Sequence, residues 1–283
     1  MSIAQSIQWK KKYKFSGNLI FQAAFRIGSG KPGESGSDLG VLLSPDGEPI
    51  LPGSSLKGKF RSTVEKLCYL LNMKACMLDK NVSLVDCVSD QEYYQSINNT
   101  IKEKNSKQRY EWLTGINGKR QICDVCWLFG SLMSASRLFF QDARLLQWSK
   151  VVEHRDGVVI DRDSERAVEG LKYDFEVIPA NTSFEIQIEV ENPEDLELSM
   201  IAIGLSEWEQ GIRLGGGTSR GLGMAKLENL KIQKVDFSNP ESYIPYLCNR
   251  TMQEVTPTDW AKILKNQLTE ISKEISQKKT EGN

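Results

Sequence analysis

The chain has 283 residues, with 36 lysines and arginines against 37 aspartates and glutamates. A formal net charge of −1 leaves no global basic field to attract nucleic acid, so any such role must rest on local patches. At 40% hydrophobic and 26% charged residues the chain is ordinary globular material for one large domain or two small ones, and no apolar run approaches the roughly 18 residues of a membrane span.

The opening MSIAQSIQWKKKYKF lacks the apolar centre of an export signal. This predicts a cytoplasmic protein with no membrane partner, whose six cysteines are reduced thiols or metal ligands rather than a disulfide scaffold. Tyr13–Arg26 alternates apolar and polar residues around Phe15, Leu19, Phe21 and Phe25, a strand pattern. The following IGSGKPGESGSDLG is a loop by its glycine and serine content. Its Gly28–Gly33 stretch satisfies G-x-G-x-x-G, yet no helix opens behind it to hold a pyrophosphate, which excludes a dinucleotide site. Asp38 in this loop is a lone carboxylate, either a turn former or a holder of a divalent cation against a phosphate.

Ser54–Met73 begins on a Pro-Gly-Ser-Ser cap signal and carries Leu56, Phe60, Val64, Leu67 and Leu71 at helical spacing. GSSLKGK at Gly53–Lys59 is one residue from a P-loop, but Phe60 replaces the hydroxyl that would hold Mg²⁺. Ser54, Ser55, Lys57, Lys59 and Arg61 instead gather hydroxyls and cations at a helix start, which suits a phosphate backbone. A capped surface helix is the plainer reading. Residues 74–121 are polar and form an insertion without a core of its own. CDVC at Cys123–Cys126 has the gap of a zinc knuckle, and Cys76 and Cys87 could complete four thiolates. Buried free thiols are the alternative. Cys68 fits a core position, and Cys248 is too remote to place.

A strand is predicted from Ser136 through ASRLFFQDARLLQ, and LKYDFEVIPANTSFEIQIEVE gives extended segments around a turn. Between them Glu153–Leu171 reads as a charged hairpin with Val158, Val159 and Ile160 as an exposed apolar tip or edge. His154 is the single histidine, which rules out acid-base work by a histidine pair. DLELSMIAIGLSEWEQGI is helical and GLGMAKLENLKI is a last strand. Between them lies GIRLGGGTSRGLG, whose glycines let backbone N–H groups approach a ligand beside Arg213 and Arg220, an arrangement suited to phosphate. A flexible connector is the other reading. Residues 259–283 fit an amphipathic helix. The β-α-β-β-α-β order predicts an α+β, ferredoxin-like (RRM-like) sheet with its helices on one face.

Taken together, IGSGKPGESGSDLGVLLSPDGEPILPGSSLKGKFRS, CDVCWLFGSLMSASRLFFQDA and GIRLGGGTSRGLG resemble the RAMP superfamily of CRISPR-associated proteins, above all the backbone subunits of type III effector complexes. The resemblance runs from Tyr13 to about Ile232, and the insertion cysteines resemble those of zinc-bearing type III-D and III-E relatives. It implies one RRM-like palm domain over 1–283, with a zinc-binding insertion at 74–121, a thumb hairpin at 153–171 that wedges a guide–target duplex open, and a helical tail at 259–283. It implies RNA contacts from Ser54, Ser55, Lys57, Lys59 and Arg61, from Ser131 and Arg137, from Arg155, and from Gly216, Gly217, Ser219 and Arg220. It further implies target-RNA cleavage at Asp38 with Mg²⁺ or Mn²⁺, and structural Zn²⁺ on Cys76, Cys87, Cys123 and Cys126. The implied partners are CRISPR guide RNA, target RNA, other RAMP subunits and a large polymerase-like subunit. Leu39 and Gly40 depart from the polar residue and proline that many relatives carry, so a purely structural RNA-binding subunit stays the alternative.

Overall fold

A computed structural model describes residues 8–33, 36–76, 87, 91–115 and 120–281. The remainder of the predicted insertion, at 77–86, 88–90 and 116–119, and the last two residues of the predicted tail lie outside the described residues.

Strand β1 (Lys11–Phe21) buries every second residue from Tyr13 to Phe21, as its alternation requires. Helix α1 (Gly53–Leu67) buries Leu56, Phe60 and Val64 and passes into a 3₁₀ turn at Cys68–Leu71. Three helices follow: α2 (Gln91–Lys102), α3 (Ser106–Thr114) and α4 (Asp124–Phe129). Strands β2 (Leu138–Phe140) and β3 (Arg144–Gln147) precede a hairpin of β4 (Glu153–Ile160) and β5 (Ala167–Val177). Then come β6 (Ser183–Glu191), α5 (Asp195–Gln210), β7 (Ile212–Arg213), β8 (Met224–Asp236), α6 (Pro240–Asn249), β9 (Gln253–Glu254) and α7 (Pro257–Glu281).

The main sheet runs β2-β6-β1-β8-β7, with β3 also on β6 and β9 on β8. All its pairings between these strands are antiparallel. Phe15 of β1 lies opposite Ile188 of β6 on one side and Ile232 of β8 on the other. With α1 and α5 as the crossing helices, this α+β arrangement follows the expected β-α-β-β-α-β plan. The core forms where the helices meet: Trp208 of α5 stands edge-on to Phe60 of α1 at 5.2 Å, and Phe129 and Phe140 flank the same ring. Trp260 near the start of α7 packs on Phe15 at 5.2 Å, which anchors that helix to the sheet.

Several boundaries differ from the sequence reading. The first strand stops at Phe21, because Phe25 leaves the ladder, bridges Ile178 and stacks on Phe21 at 3.6 Å. Helix α1 is not capped by Ser54 or Ser55; its N-cap is Pro52, and the Gly53 N–H donates to Asp142 Oδ1 at 2.7 Å. The predicted strand after Ser136 divides into two, since Ala143 turns aside to pair with Leu51. The hairpin extends past Leu171 to Val177.

Candidate nucleic-acid interface and metal centre

The glycine-rich loop after β1 is held against the hairpin by its backbone. Glu176, only 5% exposed, accepts the Val41 N–H at 3.1 Å, and its own N–H donates to the Leu39 carbonyl at 3.0 Å. Gly33 packs so tightly here that a Cβ would lie 2.1 Å from both Glu176 Oε1 and Ser37 Oγ. Asp38 is exposed and locked reciprocally to β5: its N–H donates to Asp174 Oδ1 at 2.7 Å, and the Asp174 N–H donates to Asp38 Oδ2 at 3.1 Å. The hairpin, rather than helix α1, therefore fixes where Asp38 stands. Val158, Val159 and Ile160 are exposed along β4 as expected.

The run Gly211–Gly223 closes onto the same region. The Gly216 N–H donates to the Arg26 carbonyl and the Gly223 N–H to the Ala24 carbonyl, each at 2.8 Å. Arg220 reaches the hairpin and donates to Tyr173 Oη at 2.6 Å. Loop, hairpin and glycine run thus converge on a cavity of about 410 Å³, lined by Arg26, Arg155 and Arg220 together with Leu39, Gly216 and Gly217. Three guanidinium groups and open backbone suit an anion, with Arg155 also paired to Glu153 at 3.1 Å and Asp156 in the cavity wall. Arg26 Nε is buried and has no acceptor among the described residues. Sequence reasoning missed Arg26, although it is the last residue before the IGSG loop. Ser219 is exposed in the 3₁₀ turn Thr218–Arg220 beside this cavity.

Helix α1 separates its predicted contacts. Ser54 is exposed and Ser55 half-buried. Lys57 donates to Ser136 Oγ at 2.8 Å, and burial, aided by the charge of Arg61, pushes its ammonium below the usual lysine range. Arg61 binds Glu65 at 2.8 Å and also donates to the Gly130 carbonyl and Cys126 Sγ, each at 3.3 Å. Arg137 pairs with buried Glu197, donates to the Asn192 carbonyl at 3.0 Å and lies over the Trp127 ring at 4.8 Å. Arg61 and the two terminal nitrogens of Arg137 are therefore committed to protein partners, while Arg137 Nε is buried without an acceptor among the described residues. Ser131 accepts the Met133 N–H and faces Ser134 Oγ at 3.2 Å, shaping the turn after α4.

Cys76, Cys87, Cys123 and Cys126 are all buried, with every sulfur within 4.8 Å of the others. Cys76 and Cys126 sulfurs are 3.5 Å apart. The Cys123 N–H points to Cys87 Sγ at 3.3 Å, and the Cys126 N–H to Cys123 Sγ at 3.4 Å. A tetrahedral ion with metal–sulfur bonds of about 2.3 Å has sulfur–sulfur edges of about 3.8 Å, so this donor set can hold a metal ion. Cys68 stands apart: its thiol donates to the Glu65 carbonyl, and burial pushes it up to about 11. Cys248 is exposed.

The sequence profile of the RAMP superfamily matches residues 21–226. The chain belongs to the RAMP superfamily. The matched span carries the glycine-rich loop, α1, the four cysteines, the hairpin and the glycine run. This RAMP chain is also 25% identical over 230 residues to CRISPR system Cms endoribonuclease Csm3 of Streptococcus thermophilus, covering 79% of this chain and 90% of that protein. Among the described residues, no helix is long and apolar enough to cross a membrane.

Proposed function

We propose that this RAMP protein is a guide-RNA-binding backbone subunit of a type III CRISPR effector complex, and that it cuts target RNA with a divalent metal through Asp38. The observation that carries this reading is the single cavity where Arg26, Arg155 and Arg220 meet the glycine run beside the Asp38 loop. Such a site presents fixed donors to phosphate oxygens and reads no base edge, as holding any guide requires. The likeness to an endoribonuclease over most of the chain supports the cutting role.

In this reading the chain is one RRM-like domain, with residues 74–121 as the insertion, 153–171 as the thumb and 259–283 as the tail. Ser54, Ser55, Lys57, Lys59, Arg155, Gly216, Gly217, Ser219 and Arg220 hold the RNA backbone. Arg61, Arg137 and Ser131 build the surface those residues stand on, because Arg61, the two terminal nitrogens of Arg137 and the Ser131 hydroxyl already have partners within the protein. Asp38 supplies the carboxylate for Mg²⁺ or Mn²⁺, hard cations that take oxygen ligands and complete their shells with phosphates and water, and Asp174 holds the Asp38 N–H in place. The ion, when bound, stabilises charge developing at the attacked phosphate. The Asp174 N–H orients Asp38 by holding one carboxylate oxygen, and the arginines fix the phosphodiester for in-line attack by a 2′-hydroxyl or water. The four thiolates suit Zn²⁺, which prefers tetrahedral sulfur. Guide RNA, target RNA, sister RAMP subunits and a large polymerase-like subunit are the partners.

The test is to assemble the complex with wild-type or Asp38→Ala subunit and map target fragments with Mg²⁺ or EDTA. Loss of regularly spaced cuts at unchanged target affinity supports the reading. An unchanged fragment pattern makes the subunit structural.

A further inference from the structure

Helix α1 has a second basic face, distinct from the one tied to the cysteines. Lys59 and Lys66 are seven residues apart on α1, two turns along one side of the helix. They line a cavity of about 510 Å³ with Arg213 and Thr218 of the glycine run. Lys66 and Arg213 are exposed and Lys59 is half-buried. Among the described residues none of the three cations has a carboxylate partner within 4.0 Å. Burial first, then the charges of Lys66 and Arg213, push the Lys59 ammonium below the usual lysine range. Like charges gathered without a counter-ion repel one another, and an anion between them relieves that repulsion. Exposed Glu207 is the one acid lining the cavity among the described residues.

We propose that this cavity binds one backbone phosphate of the RNA, gripped by Lys59, Lys66 and Arg213 with Thr218 beside it. The inference rests on the RNA-binding reading above and deepens it. It adds Lys66, Arg213 and Thr218 to the contact set, and it makes the glycine run serve two neighbouring cavities, this one through Arg213 and Thr218 and the other through Gly216, Gly217 and Arg220. The grip is indifferent to base identity, because contacts to a phosphate carry no sequence information.

The experiment uses the full chain and fluorescently labelled single-stranded RNAs of unrelated sequence, with affinity measured across a salt series. For the Lys66→Ala/Arg213→Ala double variant the expected result is about tenfold weaker binding at low salt, equal for every sequence. The slope of log K against log salt should flatten by about 0.7, one single-strand phosphate contact. Arg213→Lys should keep the slope, and Glu207→Gln should tighten binding. Melting curves establish that the variants fold, since both substituted residues are exposed. If the wild-type chain shows no salt-dependent RNA binding, the proposed function fails and this site with it. If wild type binds but the double variant has the same affinity and slope, the site alone is wrong. Inorganic phosphate at constant ionic strength separates the sources: stabilisation by phosphate that the double variant loses, without loss of RNA affinity, assigns the cavity to free phosphate and overturns the backbone role.

Discussion

Gly221 and Gly223 of the glycine run have the same backbone demand and different surroundings, so substituting each by alanine isolates the value of a close approach. Both sit at positive φ, +86° and +78°, where an L-residue with a Cβ costs about 1 kcal/mol. At Gly221 a Cβ meets no atom of the described residues within 4 Å, whereas at Gly223 it would fall 2.1 Å from the Leu214 carbonyl oxygen. That oxygen is backbone, so no rotamer change clears it. Relief requires pulling apart two hydrogen bonds, Leu214 N–H to Gly223 carbonyl at 2.9 Å and Gly223 N–H to Ala24 carbonyl at 2.8 Å. Overpacking of this kind costs about 1–3 kcal/mol, and each net hydrogen bond lost adds about 1 kcal/mol. Gly221→Ala should therefore lower stability by about 1 kcal/mol and Gly223→Ala by about 5 kcal/mol. In a melt that is a gap of roughly 8–16 °C, at about 2–4 °C per kcal/mol for a chain of this size. Urea unfolding followed by tryptophan fluorescence and a thermal scan measure both. Equal losses for the two variants would refute the argument that the run is built for contact with the exit of β1. Gly221→Ala, which keeps the fold, should also keep RNA affinity at 25 °C.

Freshly purified protein should carry about one zinc per chain, read by elemental analysis, and chelation or Cys126→Ser should lower the melting temperature, because the binding energy of a structural metal is folding energy. Zinc-free protein that melts at the same temperature after chelation contradicts this. Asp174→Ala should slow target cutting about tenfold to a hundredfold with binding intact, since a misplaced reacting group costs about that much, while Asp174→Asn, which retains an acceptor for the Asp38 N–H, should recover most of the rate; equal rates in all three proteins would dismiss the clamp. Arg137→Met leaves the Glu197 carboxylate, 2% exposed, buried without its partner, at a cost of about 3 kcal/mol near neutral pH. Burial already raises the Glu197 carboxyl above the usual range, with Arg137 pulling it down. Without Arg137 it rises further, so the folded state holds its proton more tightly than the unfolded chain. The stability lost at neutral pH should then return as pH falls through the folded value, in full below about 4.3, and a pH-independent loss in urea titrations would count against this.

Local pattern made the regular elements legible. The alternation of Phe15, Leu19 and Phe21 and the helical spacing of Leu56, Phe60 and Val64 each report burial of one face, and the strand order followed from the order of those elements. The cysteines were legible because the Cys123–Cys126 gap is a chemical signature, and their partners Cys76 and Cys87 join them despite the distance in sequence. What failed was whatever depends on a partner far along the chain. Asp142 replaces the serines as acceptor at the start of α1, and Ile178 draws Phe25 out of the first strand. Arg26 read as one polar position in a strand, and only the folded chain turns it toward Arg155 and Arg220.

The same reasoning separates two of the arginines that the resemblance assigns to RNA, because in the fold both meet protein partners. An arginine supplies several donors in one plane, and whether they face outward depends on acceptors that sequence cannot place. Arg61 finds Glu65 one turn away, but also Gly130 and Cys126 across the fold. Four thiolates on a dication carry a net charge of about −2, and buried charge of that size needs donors and cations around it. Arg61 provides both, next to the N–H groups of Cys123 and Cys126. Helix α1 is thus divided by function around its circumference. On one side Arg61 is spent on the cysteine cluster and the turn after α4. Among the described residues, the Lys59 and Lys66 side is left with cations that lack a carboxylate partner. The second side is where a polyanion gains most, because its charges repel one another until an anion arrives, whereas that of Arg61 is already paired with Glu65.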